Sequence, residues 1–269
     1  MSVIRERRPE VYLGIDFGKN TTKAVFLDHD GILKDRLIMK SGVIQRDSSV
    51  QQVADHAGVD TESIESVVIT GDFGKKNDIH ATKMSEVSCQ LKYLEYKNCG
   101  FETVVDAGDE TIKIMLIDSD MSIKCIYDYS NYMIDEAGFI KELAGNAGCS
   151  AWRLMNVLDK ERGTCGSYNV CCTRRLLQDS DIFRSKVSKR NVKDIFFKTY
   201  MTVFRRILAD VEPDDSGSMM FVIGDAAGDR ELIHALEEIT GKNAIVADDP
   251  QYVSAIGAGI YAKELKEKE

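Results

Sequence analysis

Asp16, Gly18, Thr21, Thr22 and Lys23 form a compact set of groups suited to an anion, and the chain carries the set twice. Residues 16–28 read DFGKNTTKAVFLD and residues 106–118 read DAGDETIKIMLID. Both follow Asp-x-Gly-x-x-Thr-x-Lys-x-x-x-x-Asp. The pattern matches Asp16 to Asp106, Gly18 to Gly108, Thr21 to Thr111, Lys23 to Lys113 and Asp28 to Asp118. A glycine lets backbone N–H groups approach a ligand closely, and successive N–H groups in a tight turn make a concave anion site. Thr21 and Thr22 add hydroxyl donors and Lys23 a mobile cation, with Lys19 and Asn20 in the turn itself. Asp16 and Asp106 would repel a phosphate unless a cation lay between them, and Mg2+ accepts carboxylate, water and phosphate oxygen together. A lone Asp-x-Gly turn reads as an ordinary hairpin with an exposed lysine on its strand. Duplication at constant spacing argues instead for a symmetric clamp.

Positioning such a clamp requires strand–turn–strand units, and the apolar periodicity supplies them. Strands are predicted at 11–16, 22–28, 32–38 and 66–70, with helices near 48–57 and 80–96. A second series has strands at 103–107, 112–118 and 122–128, then helices near 136–147, 150–160, 170–180 and 191–210. Strand 219–223, helix 229–240, strand 244–247 and a helix over 251–266 complete it. Pro213 lies in a loop, EPDDSGS, and Pro250 suits the first turn of the final helix, capped by Asp248 or Asp249. The expected organisation is α/β. It has a flexible lead-in over 1–10, a first lobe over 11–98 to which the final helix (250–266) returns, and a second lobe over 99–249.

Composition bounds the function. At 269 residues the chain can form two lobes, and 43% hydrophobic with 29% charged residues fits a globular protein. A net charge of −9 argues against general nucleic-acid binding. The absence of a long apolar run predicts no membrane span, and the start, MSVIRERRPE, lacks a secretory h-region. Seven cysteines without an export signal predict reduced thiols and a cytoplasmic setting.

At this point the sequence resembles a family. The two hairpins are similar to the phosphate-1 and phosphate-2 loops of the actin/Hsp70/sugar-kinase ATPase superfamily. VVITGDFGKK (67–76) resembles the strand-plus-TGYGR segment of the activator ATPases of 2-hydroxyacyl-CoA dehydratases and benzoyl-CoA reductases, the BadF/BadG/BcrA/BcrD type. MSEVSCQLKY (84–93) resembles the helix that follows. FVIGDAAGDRELIHALEEITG (221–241) resembles their adenosine loop and helix, and DDPQYVSAIGAGIYA (248–262) their closing segment. The resemblance implies a two-lobed, actin-like (ribonuclease H-like) fold with duplicated lobes and a nucleotide cleft between them. It implies a homodimer that binds ATP or ADP with Mg2+ and couples lobe closure to a partner enzyme. Asp16 and Asp106 are then the magnesium-side carboxylates, with Glu110 as a candidate general base. Nucleotide contacts are expected from Gly18, Lys19, Asn20, Thr21, Thr22, Lys23, Gly108, Asp109, Gly224, Asp225, Ala226, Arg206 and Gln251.

The sequence also departs from the family. The activators hold a [4Fe–4S] cluster with two cysteines from each subunit. Where the first would stand, SNYMIDEAGFI (130–140) has none, and Met133 or Ile134 takes its place. Thiolates, not thioethers or aliphatic groups, hold such clusters, so the cluster is not expected. The second position falls on Cys171 or Cys172. With Cys165 and Cys149 these either form an altered metal site or pack as small apolar residues. Cys89, Cys99 and Cys125 are expected to pack in the lobes. The second loop carries Asp109, Glu110 and Thr111 where the family has Gly, Gln and Asp. Asp225 replaces a glycine of the adenosine loop, and Gln90 stands where the activators carry His. Residues 174–206 form a basic stretch, read either as a solvated helical face or as a docking surface for an acidic partner or a CoA-type phosphate.

The expected function is that of an ATP-binding, ATP-hydrolysing activator acting on a dehydratase- or reductase-like enzyme. One alternative is a small-molecule kinase of the same superfamily, with Asp72 or Asp135 as base. The other is a non-hydrolysing, ATP-sensing regulatory or scaffold protein.

Overall fold

A computed structural model describes residues 10–18, 21–41, 49–72, 81–108, 111–129, 142–148, 154, 189–209, 211 and 218–268. The chain divides into two compact units, one of Met1–Cys99 with Tyr252–Glu269 and the other of Gly100–Gln251. In the first unit β1 (Val11–Phe17), β2 (Thr21–Leu27) and β3 (Leu33–Lys40) form an antiparallel meander. Helix α1 (Ser49–Ala57) leads into β4 (Ile64–Gly71), which runs parallel to β1, and the short β5 (Thr82–Lys83) extends the edge. The order is β3-β2-β1-β4-β5, followed by α2 (Glu86–Tyr96).

The second unit repeats the plan. β6 (Thr103–Ala107), β7 (Ile112–Ile117) and β8 (Ile123–Asp128) form the meander. After α3 (Lys189–Leu208), β9 (Met219–Ile223) returns parallel to β6; α4 (Arg230–Thr240) and β10 (Asn243–Val246) follow. Read from β8, the order is β8-β7-β6-β9-β10, the same connectivity as the first sheet. The sequence repeat is therefore a repeat of whole sheets. Its trailing aspartates are turn residues. Asp28 N–H donates to Ile32 O (3.0 Å) and Gly31 N–H to Asp28 O (2.9 Å); Asp118 N–H donates to Ser122 O (2.8 Å) and Met121 N–H to Asp118 O (2.9 Å). The left-handed residue of this turn is Gly31 in one copy and Met121 in the other.

The chain ends in α5 (Val253–Glu267), which packs on β1, β4 and α2. Its approach depends on glycines. A Cβ on Gly14 would lie 2.1 Å from Ala255 O, and one on Gly257 would lie 1.8 Å from Cys89 O. On the other face of β1, Leu13, Ile15 and Phe17 pack with Val53 of α1. β1 is buried along its length for that reason. In the second unit the core joins Val105, Ile112, Ile114 and Val222 to Phe196, Tyr200 and Phe204 of α3 and Leu232 and Leu236 of α4.

Two element boundaries depart from the sequence reading. The helix read over 80–96 begins at Glu86. Thr82–Lys83 pairs as a strand with β4, and Ser85 caps the helix by accepting from Ser88 N–H. Pro250 opens a 3-10 turn, Pro250–Tyr252, rather than the final helix. Its carbonyl accepts from Gly224 N–H (2.8 Å) and so is committed to the loop after β9. The helices read over 150–160 and 170–180 lie outside the described residues apart from Leu154, and of that over 136–147 only 142–147 is described.

Candidate functional site

Both repeated aspartates sit at the C-terminal end of the first strand of their sheet, one residue from its end. In the first unit, Asp16 pairs across β2 with Lys23 and across β4 with Thr70. In the second, Asp106 pairs across β7 with Lys113 and across β9 with Ile223. Strand alternation sends Leu13, Ile15 and Phe17 to the α1 face, so Asp16 and Lys23 share the opposite face with Gly14. Asp16, Lys23 and Asp106 are buried. Burying charged groups is costly unless they are paired or meet a ligand. The same aspartate–lysine pairing recurs in both units.

The cross-strand neighbours of Asp16, Lys23 and Thr70, are polar. Gln90 Nε2 donates to Ser254 Oγ (3.2 Å), joining α2 to the first turn of α5. Cys89 lies under Thr70. Burial pushes its thiol up to about 12, while the Thr70 side chain pulls the other way and the Asp16 carboxylate adds to the rise. At the glycine after the first strand of each hairpin, a Cβ would be excluded in the first copy and only tightly fitted in the second, where it would lie 3.0 Å from Thr111 Oγ1. A Cβ on Gly18 would lie 2.6 Å from Thr21 O, and Gly108 N–H donates to Thr111 O (2.9 Å). Thr22 is fully buried, with Oγ1 3.1 Å from Ser41 Oγ, which donates to Gly18 O (2.6 Å). Thr22 therefore braces the turn from below, through a serine that the repeat pattern does not contain.

In the adenosine-like loop, Gly224 (φ 98°) precedes a 3-10 turn, Asp225–Gly228. Asp225 is half-buried, but the Ala226 methyl belongs to the core of the unit, so that residue has only its backbone to offer. Asp229 caps α4, accepting from Glu231 N–H (3.0 Å) and from Tyr200 O–H (3.0 Å), which ties this loop to α3. Arg206 extends from the last turn of α3 to Glu142 (3.7 Å), and Gln251 is exposed. Lys193, Lys198 and Arg205 lie on the exposed side of α3. Lys19, Asn20, Asp109, Glu110, Met133, Ile134, Asp135, Cys149, Cys165, Cys171 and Cys172 lie outside the described residues. Cys89, Cys99 and Cys125 are thiols outside any disulfide, Cys89 buried and the others half-buried. Asp72 is exposed, and its N–H donates to Phe17 O (2.7 Å).

Gly71 is the residue that sequence reasoning missed. It ends β4 as Gly224 follows β9, and both have left-handed backbones, φ 82° and 98°. The available signal was a second repeat, Ile69-Thr70-Gly71-Asp72 against Val222-Ile223-Gly224-Asp225.

No protein-family model matches the sequence. The 2-hydroxyisocaproyl-CoA dehydratase activator of Clostridioides difficile is 22% identical over 268 residues, covering 96% of this chain and 97% of that protein. The activator of lactoyl-CoA dehydratase of Anaerotignum propionicum is 25% identical over 264 residues, covering 95% of this chain and 98% of that protein. Among solved structures, the activator of the 2-hydroxyisocaproyl-CoA dehydratase from Clostridium difficile with bound ADPNP superposes with a TM-score of 0.67. It is 19% identical, with 96% of each chain covered. No helix among the described residues is long and apolar enough to cross a membrane. With its duplicated five-stranded sheets, the chain has the two-lobed actin-like ATPase fold and is similar along nearly its whole length to activators of 2-hydroxyacyl-CoA dehydratases.

Proposed function

We propose that this protein binds ATP with Mg2+ through the Asp16 and Asp106 hairpins, hydrolyses it, and uses the cycle to activate a partner enzyme of the acyl-CoA dehydratase type. The observation that carries the reading is the equivalence of the two aspartates. Each is buried at the end of the first strand of its sheet beside a cross-strand lysine. The residues fit magnesium, because each carboxylate lies against a glycine whose missing Cβ leaves it room. Bound Mg2+ would neutralise charge on the phosphate oxygens and orient them. Asp16 and Asp106 would hold it, directly or through water. Lys23 and Lys113, their cross-strand neighbours, balance the carboxylates and offer donors to phosphate. Gly18 and Gly108 let backbone N–H groups come close. Asp225, after the left-handed Gly224, would accept from a ribose hydroxyl, and Glu110 is the candidate base for the attacking water. The dehydratase-type partner is supported by relatives that match this chain almost end to end. A homodimer and a cytoplasmic location complete the proposal.

Nucleotide binding is tested by melting. A ligand that binds only the native state stabilises it by mass action, by about 2.7 kcal/mol at one hundred times its dissociation constant. Millimolar ATP–Mg2+ should raise the melting temperature, and Asp16→Ala should remove the rise. A folded wild-type protein that does not respond would end the proposal.

A further inference from the structure

We propose that Gly71 is a positioning residue for the Asp16 carboxylate, and Gly224 its counterpart for Asp106, each strand-end glycine forming a seat that holds the carboxylate in one orientation. The inference rests on the magnesium–nucleotide reading above and adds to it a residue, Gly71, that the hairpins do not contain.

The geometry is the same in both units. A Cβ on Gly71 would lie 2.7 Å from Asp16 Oδ1 and 2.5 Å from Phe17 O. A Cβ on Gly224 would lie 2.6 Å from Asp106 Oδ1 and 2.4 Å from Ala107 O. In each case the glycine comes one step beyond the aspartate's own partner, Thr70 or Ile223, on the parallel strand: Gly71 is the last residue of β4 and Gly224 the first after β9. The backbone is anchored at each turn: Asp72 N–H, one residue past Gly71, donates to Phe17 O (2.7 Å), and Gly224 N–H donates to Pro250 O (2.8 Å).

A left-handed backbone alone would explain a glycine at these turns. It does not explain the carboxylates. Gly58 and Gly241 are also left-handed, with φ 65° and 68°, yet a Cβ on either would meet nothing within 4 Å. Among the described glycines, only at Gly71 and Gly224 is the space of the missing side chain bounded by an aspartate oxygen and by the carbonyl of the residue that follows that aspartate. A methyl group there must displace the carboxylate, the hairpin carbonyl or both. The aspartate would keep its charge and lose its aim.

The test compares Gly71→Ala and Gly224→Ala with Gly58→Ala in the full chain. Gly58→Ala also places a side chain on a positive-φ backbone (φ 65°) and touches no carboxylate. Three readouts are taken: melting without ligand, the Mg2+ concentration giving half of the ATP-dependent thermal shift, and ATP binding in EDTA. All three variants should melt lower than wild type. Only Gly71→Ala and Gly224→Ala should raise the Mg2+ requirement, by about 10- to 100-fold, as is typical when the partner of a metal ligand is lost. Their ATP binding in EDTA should stay within about twofold of Gly58→Ala, and in an Asp16→Ala background Gly71→Ala should have no further effect on nucleotide binding. A wild-type Mg2+ requirement in folded Gly71→Ala, or a change no larger than that of Gly58→Ala, would overturn the seat. Should Gly71→Ala not fold, Gly224→Ala decides by the same criterion. A wild-type protein with no Mg2+-dependent shift would instead defeat the proposed function. The seat is then judged from a crystal structure of Gly224→Ala, where an unmoved Asp106 side chain refutes it.

Discussion

Single residues separate chemistry from support at this site. Asp16 and Asp106 are the groups proposed to meet magnesium, whereas Thr22, Ser41, Gln90 and Ser254 hold the backbone and helices around Asp16. Cys89 belongs to the supporting group. Its thiol is pushed up to about 12, first by burial. In the native protein it should therefore resist thiol reagents near neutral pH, while Cys99 and Cys125 react first; rapid labelling of Cys89 by mass spectrometry would contradict its burial. The sign of the pH effect follows. Folding keeps the neutral thiol, so its contribution to stability is complete below the unfolded value near 9 and is lost as pH rises toward 12. Urea titrations of wild type and Cys89→Ala should run parallel up to about pH 8.5. Above that the gap between them should shrink, and a gap constant to pH 11 would refute the assignment.

At the scale of elements, α5 is the piece with the tightest fit. Gly257 brings it against the α2 backbone, where a Cβ would lie 1.8 Å from Cys89 O, and Gly14 brings it against β1. Lys92 of α2 reaches Glu264 of α5 at 3.0 Å. Gly257→Ala adds one methyl against backbone that cannot step aside. It should cost about 3 kcal/mol, the upper end of overpacking effects, or prevent folding. Gly100→Ala, where a Cβ would meet nothing within 4 Å, should change urea stability by less than about 0.5 kcal/mol. In the other unit, Tyr200→Phe removes the hydroxyl that Asp229 accepts from at the start of α4. A loss of about 1–3 kcal/mol is expected there, because the buried carboxylate loses a donor.

For the whole molecule, the proposed mechanism requires one nucleotide to engage both repeats. Hydrogen exchange should then slow around Gly18 and Gly108 together on addition of ATP–Mg2+, and protection of one hairpin alone would assign a structural role to the other. The partner chemistry turns on iron. With Met133 or Ile134 at one of the two cysteine positions implied by the resemblance, a dimer offers one matching thiolate per subunit, from Cys171 or Cys172. Protein purified without oxygen is expected to be colourless and free of stoichiometric iron, because clusters of this kind take four thiolates. About four irons per dimer, lost when Cys171 and Cys172 are replaced, would restore an electron-transfer role. Absence of the cluster would leave ATP-driven conformational change as the means of activation.

The local order of elements was legible in the sequence because it depends on neighbours a few residues apart. Alternating apolar runs predict β1, β2, β6 and β7, and the Asp-x-Gly spacing marks the two turns that join them. The same spacing carries the Asp16–Lys23 and Asp106–Lys113 pairs, since a hairpin's register follows from the length of its turn. Other features needed the tertiary structure, because they join residues far apart in sequence. Gly71 meets Asp16 across parallel strands, a pairing set by the whole β1–β4 crossover. Pro250 reads as a helix start until its carbonyl is seen to accept from Gly224. The sequence offers Ala226 as a nucleotide contact, and only the packing shows that its methyl lies in the core and leaves its backbone for that role. Helix periodicity shows that the closing segment is helical. Only the packing shows that its glycines allow α5 to lie directly on β1 and α2, because close backbone approach is decided jointly by two surfaces and is written in neither sequence alone.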